Sequence, residues 1–176
     1  MKTLIIHPRD ASTDFLRPIY NDIEDKTVLT EGTRKKVIQE IKGHDRIMMM
    51  GHGSPSGLFS IGRFDSLYAV DDSLVEILKK KECIFIWCNA DKFVDRHGLK
   101  GLYSGMFISE VSEAAYCGFF TDQATVNESN NFFAFWLGRA VNNPLSEVYS
   151  SLLPKYQILA EDNKVAAYNQ KRIYLK

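Results

Sequence analysis

Arg46-Ile47-Met48-Met49-Met50-Gly51-His52-Gly53-Ser54 and Cys83-Ile84-Phe85-Ile86-Trp87-Cys88-Asn89-Ala90 are the two stretches that decide how this chain is read. Each is a short apolar run that stops at a side chain able to do chemistry. Runs this short and this continuously apolar read as strands buried on both faces, the pattern of a mostly parallel central sheet with helices on either side. In such sheets, sites form beyond the carboxyl ends of the strands. His52 and Cys88 both stand there, on strands that the sequence joins through a helical crossover beginning near Ser73.

Outward from these runs, strand-like and helix-like segments alternate without repeats or low-complexity linkers, which predicts α/β layers. Residues 3–6 and 26–30 read as strands, separated by a polar segment in which Phe15, Leu16, Ile19 and Ile23 keep helical spacing. Residues 31–42 read as a helix with Val37, Ile38 and Ile41 inward. Residues 58–61 and 67–70 pair as a small hairpin. Ser73 with Glu76 is a capping-box pattern opening a helix through Lys81, and residues 91–97 form a short helix closed by Gly98. Residues 105–109 read as a further strand. Thr125 with Glu128 repeats the capping-box pattern ahead of a thick stripe of Phe132, Phe133, Trp136, Leu137, Ala140 and Val141. Asn143-Pro144 then starts a last long helix, and residues 172–175 are a terminal edge strand.

At 176 residues, with 22 basic and 22 acidic side chains, the chain suits one domain spanning residues 1–176 and has no basic footprint for nucleic acid. No apolar run approaches the roughly 18 residues of a membrane span. These features predict a soluble, cytoplasmic protein that binds neither nucleic acid nor membrane. Cys83, Cys88 and Cys117 are odd in number and lie in apolar segments, which argues against a disulfide framework. No metal site is expected from them. Of the four histidines, three remain to be placed: His7, His44 and His97 lack a reactive context and read as loop or surface residues, with His97 a rival to His52 because it lies near Cys88 in sequence.

The chemistry follows from what a thiol requires. Thiolate is the nucleophile, so a neighbouring base must draw off the proton, and histidine ordinarily titrates near neutrality. Gly53 lets the backbone turn tightly and present its amide to a developing oxyanion, with the Cys88 amide as second donor. Together these parts describe acyl transfer through a thioester, with neither metal nor organic cofactor.

The order strand, Gly51-His52-Gly53, hairpin, helix, strand, Cys88 resembles the caspase, gingipain and clostripain type of cysteine peptidase, whose fold is the caspase-hemoglobinase fold. The resemblance covers residues 1–153 in element order and rests chiefly on the two motifs. It implies a His52 and Cys88 dyad, an oxyanion hole of the Gly53 and Cys88 amides, and cleavage of a peptide or protein substrate after a selected residue. The chain departs from the family two residues before the cysteine, where Ile86 replaces the usual glutamine or aspartate. The family's loop after the first strand makes Asp10 and Asp14 candidates for holding a basic substrate side chain, whereas Arg9 favours an acidic one. Glu110 and Glu113, on the same expected rim, are candidates for orienting His52 or a substrate amine. Two further readings stay open: a catalytically inactive binding or regulatory module on the same fold, and a thiol-dependent hydrolase of a small acyl substrate.

Overall fold

In the computed structural model, which describes all 176 residues, the chain runs β1 (Thr3–Ile6), a 3-10 helix (Ala11–Tyr20), β2 (Lys26–Leu29), α1 (Arg34–Gly43), β3 (Arg46–Met50), β4 (Gly53–Ser54), β5 (Gly57–Phe59) and β6 (Tyr68–Val70). It continues through α2 (Val75–Leu78), β7 (Glu82–Ile86), α3 (Ala90–His97), β8 (Leu102–Ser104), α4 (Val111–Tyr116), α5 (Gln123–Ala140), α6 (Leu145–Leu159), α7 (Lys164–Gln170) and β9 (Ile173–Leu175). The main sheet has six strands in the order β2-β1-β3-β7-β8-β9, all parallel except the antiparallel edge strand β9. A separate antiparallel sheet, β4-β5-β6, follows β3 directly.

The continuous apolar runs work because a strand sends successive side chains to opposite faces and both faces are covered. Ile47 and Met49 of β3 join Cys83 and Phe85 of β7 on one face, where α1, α2 and α3 contribute Ile41, Leu78 and Phe93. Met48, Met50, Ile84 and Ile86 point the other way, onto Leu16 and Ile19 of the 3-10 helix, Phe133 and Leu137 of α5, and Leu152 of α6. Each fully buried aliphatic or aromatic side chain of this set contributes about 1.5–3 kcal/mol of transfer free energy. Arg46 anchors the amino end of β3. It is buried, pairs with Glu82, and donates to the carbonyls of Val141 and Asn143, capping the chain as it leaves α5.

Several expectations are corrected. The strand placed at residues 105–109 lies instead at Leu102–Ser104, paired to β7, because Gly105 turns the chain away. The two capping boxes also move: Asp71 rather than Ser73 opens the turn before α2, and Asp122 rather than Thr125 caps α5. In both cases the helical turn starts earlier than expected, and the residue expected as cap donates its own amide to the upstream carboxylate, Ser73 N to Asp71 and Thr125 N to Asp122. Helices α4 and α7 add to the elements expected from the sequence. His7 and His44 are buried, not surface residues. His7 bridges Tyr20 Oη and Thr13 Oγ1 at 3.0 Å each, and His44 joins Glu40 O to Thr27 Oγ1. No helix is long and apolar enough to cross a membrane.

Chain order and strand order part company at β1. From β1 the chain passes through the 3-10 helix on one face to β2, whereas β3, on the other side of β1, leads to α2 on the opposite face. Connections that diverge in this way open a crevice at the carboxyl ends of the strands between them.

Candidate active site

His52 and Cys88 each lie two residues beyond the ends of the adjacent parallel strands β3 and β7, on the face that carries Met50, Ile86 and Leu16. They line one crevice together with Leu16, Ile86 and Phe107. Its volume is about 20 Å³, room for roughly one water.

The two loops are fixed to each other through Trp87. Its indole Nε1 donates to Ser54 O at 3.1 Å, and its ring packs edge-on against Phe85 and Phe93. A Cβ on Gly53 would stand 2.2 Å from Trp87 Cδ1 and 2.7 Å from Gly57 O, so glycine is required after His52 by close packing. The left-handed turn of the backbone falls one residue before His52, at Gly51 with φ 139°. Gly53 faces Leu58 of β5, and the neighbouring His52 carbonyl accepts from Phe59. The alternation of an antiparallel ladder therefore directs the Gly53 amide away from β5.

Cys88 lies between β7 and α3. Asn89 follows it in the left-handed region at φ 66° without capping α3 through its side chain, and Ala90 N bonds back to Trp87 O. No backbone carbonyl accepts from the Cys88 amide. The thiol itself is engaged: its single hydrogen has two acceptors within reach, Phe107 O at 3.3 Å and Glu113 Oε1 at 3.6 Å from Sγ. Burial, reinforced by the Glu113 carboxylate, pushes the Cys88 thiol up to about 12. Glu113 is held by its own contacts, with Oε2 accepting from the amides of Ser109 and Glu110 at 2.7 and 3.0 Å. It thus meets Cys88 rather than His52.

His52 carries its hydrogen bond elsewhere. Nε2 lies 2.7 Å from Ser12 Oγ, in the first turn of the 3-10 helix, and 3.7 Å from Oδ2 of Asp10, the N-cap of that helix. His97, the rival in sequence, packs edge-on to Phe93 at the last residue of α3, about 12 Å of helix away from Cys88.

The remaining candidates fall on two sides of the crevice. Asp10 and Asp14 line a cavity of about 320 Å³ with Arg9 and Arg17, and Asp14 is paired to Arg17 at 2.8 Å. Glu110 lines a different cleft of about 500 Å³, between the 3-10 helix and α5. Ser12 was not singled out from sequence. The only local signal is Asp10-Ala11-Ser12, an Asp that accepts from an amide two residues on, as turn-forming aspartates do.

No family model, curated protein or solved structure gives a significant match to this chain.

Proposed function

We propose that this chain is a cysteine endopeptidase of the caspase, gingipain and clostripain type, with the caspase-hemoglobinase fold, in which Cys88 attacks and His52 moves the proton. One observation carries the reading: a histidine and a cysteine from the carboxyl ends of adjacent parallel strands line the same crevice. The amides of Cys88 and Gly53, neither committed to the neighbouring ladder, supply the oxyanion donors that acyl transfer needs.

In the reaction the Cys88 thiol leaves Phe107 O and Glu113, gives its proton to His52, and attacks the scissile carbonyl carbon. The carbon–nitrogen bond then breaks, the departing amine takes the proton from His52, and a thioester to Cys88 remains. Water hydrolyses that thioester with His52 again as base, restoring the thiol. The crevice is too small for a substrate acyl group as it stands, so Phe107 and its neighbours must yield on binding. Asp10, Asp14 and Glu110 are the candidates for contacting the rest of a peptide or protein substrate. Three free cysteines suit a reducing, cytoplasmic setting.

A second reading, a non-catalytic binding or regulatory module, is favoured by the state of Cys88, whose thiol is turned to a carbonyl and a carboxylate. Alkylation separates the two. The peptidase reading expects labelling of Cys88 near neutral pH that His52→Ala slows, and peptide cleavage that Cys88→Ala abolishes. Labelling indifferent to His52, with no cleavage of peptides carrying basic, acidic or neutral side chains before the bond, leaves the module. Turnover of small thioesters alone points to the small-acyl hydrolase.

A further inference from the structure

Ser12 Oγ stands between two groups that both want its proton: Asp10 Oδ1 at 3.0 Å and His52 Nε2 at 2.7 Å. A hydroxyl has one hydrogen to give. Asp10 is a carboxylate, acceptor only and the stronger acceptor of the two, so the Ser12 hydrogen goes to Asp10. The hydroxyl oxygen then faces Nε2 as an acceptor, and the short contact requires Nε2 to be the donor.

The carboxylate is well placed to hold this order. Asp10 Oδ1 also accepts from Ser12 N at 3.0 Å, which caps the 3-10 helix and orients the carboxyl group. That amide is the main reason the Asp10 carboxyl lies below the usual carboxylate range, with His52 and Arg63 adding to the effect. Asp10 Oδ2 lies 3.7 Å from Nε2, so a negative charge sits at that edge of the imidazole. The chain of contacts joins the start of the 3-10 helix to the loop after β3, across the point where the connections from β1 and β3 diverge.

We infer that Asp10 and Ser12 are positioning residues that hold His52 with its hydrogen on Nε2, leaving Nδ1 as the base for Cys88. The inference rests on the dyad reading above. When Nδ1 takes the Cys88 proton, the imidazolium keeps its Nε2–H on Ser12 and its charge beside Asp10. The proton then leaves from Nδ1 to the departing amine, and the Asp10–Ser12 pair ends the cycle unchanged.

Nitrogen-15 NMR of the His52 ring in the full chain reads the tautomer directly. Wild type is expected to show a protonated, downfield-shifted Nε2–H and a lone pair on Nδ1. Ser12→Ala should remove the downfield shift and slow Cys88 alkylation about fivefold, the worth of one ordinary hydrogen bond; Ser12→Thr, which keeps the hydroxyl, should restore both. A wild-type ring protonated on Nδ1 overturns the inference, since Nε2 would then draw the Ser12 proton. A Ser12→Ala spectrum identical to wild type overturns it too. His52→Ala without effect on Cys88 removes the dyad and the role given to Nδ1, while the wild-type spectrum still decides whether Asp10 and Ser12 set the tautomer.

Discussion

Replacing Glu113 by glutamine should make Cys88 more reactive. Burial and the Glu113 carboxylate together hold the thiol at about 12 against an ordinary 9.0, so at pH 7 roughly one thiol in 10⁵ is ionised rather than one in 10². Burial is the larger cause, and glutamine leaves it untouched. What the substitution removes is a negative charge 3.6 Å from the sulfur. The smaller part of the displacement is expected back, about tenfold more thiolate at neutral pH. Glutamine keeps an oxygen for the Ser109 and Glu110 amides, so α4 should stay capped. The assay is the rate of iodoacetamide labelling at Cys88 from pH 6 to 10, located by peptide mass spectrometry. Cys83, also pushed up to about 12 by burial, serves as the internal control. A Glu113→Gln protein with wild-type melting behaviour and unchanged or slower labelling would refute the assignment of Glu113 as the charge that opposes ionisation.

Two further outcomes concern stability and site geometry. His7 is lowered to about 4 by burial, from 6.5. The unfolded chain therefore takes up a proton at His7 before the folded chain does, and about 3 kcal/mol of stability present above pH 6.5 is lost as pH falls toward 4. Urea denaturation across that window should show the loss, and His7→Gln should flatten it; an equal slope in the variant would assign the effect to other groups. Gly53→Ala forces a Cβ against Trp87 Cδ1 and Gly57 O, for about 1–3 kcal/mol of overpacking. The same change should displace His52 and erase the difference in Cys88 labelling between proteins with and without the histidine. A Gly53→Ala protein as stable as wild type would mean that the hairpin shifts freely over Trp87.

The architecture was legible where one property repeats along the chain. Ile47 to Met50 and Ile84 to Trp87 are apolar at every position, and only a strand covered on both sides can bury all of them. The stripe from Phe133 to Val141 and the hairpin around residues 58–70 were legible for the same reason; the Gly98 stop was legible from one residue, because glycine takes the left-handed conformation it has in the fold without strain. Element starts were less legible. Around Asp71 and Asp122 the sequence offers two residues able to cap within three positions, and the first of each pair takes the role, accepting from the amide of the second. Helix α4 is short and mostly polar, so no apolar periodicity announces it.

For the candidate site, the sequence by itself determined the placing of His52 and Cys88 at the ends of two buried runs, because strand termination and glycine turns are local properties. Only the tertiary structure decided what those side chains touch. Ser12 reaches His52, Glu113 reaches Cys88, and Trp87 braces the two loops through contacts between residues far apart in the chain. A hydrogen bond extends about 3 Å and depends on how separate loops come together, so no spacing along the chain encodes it.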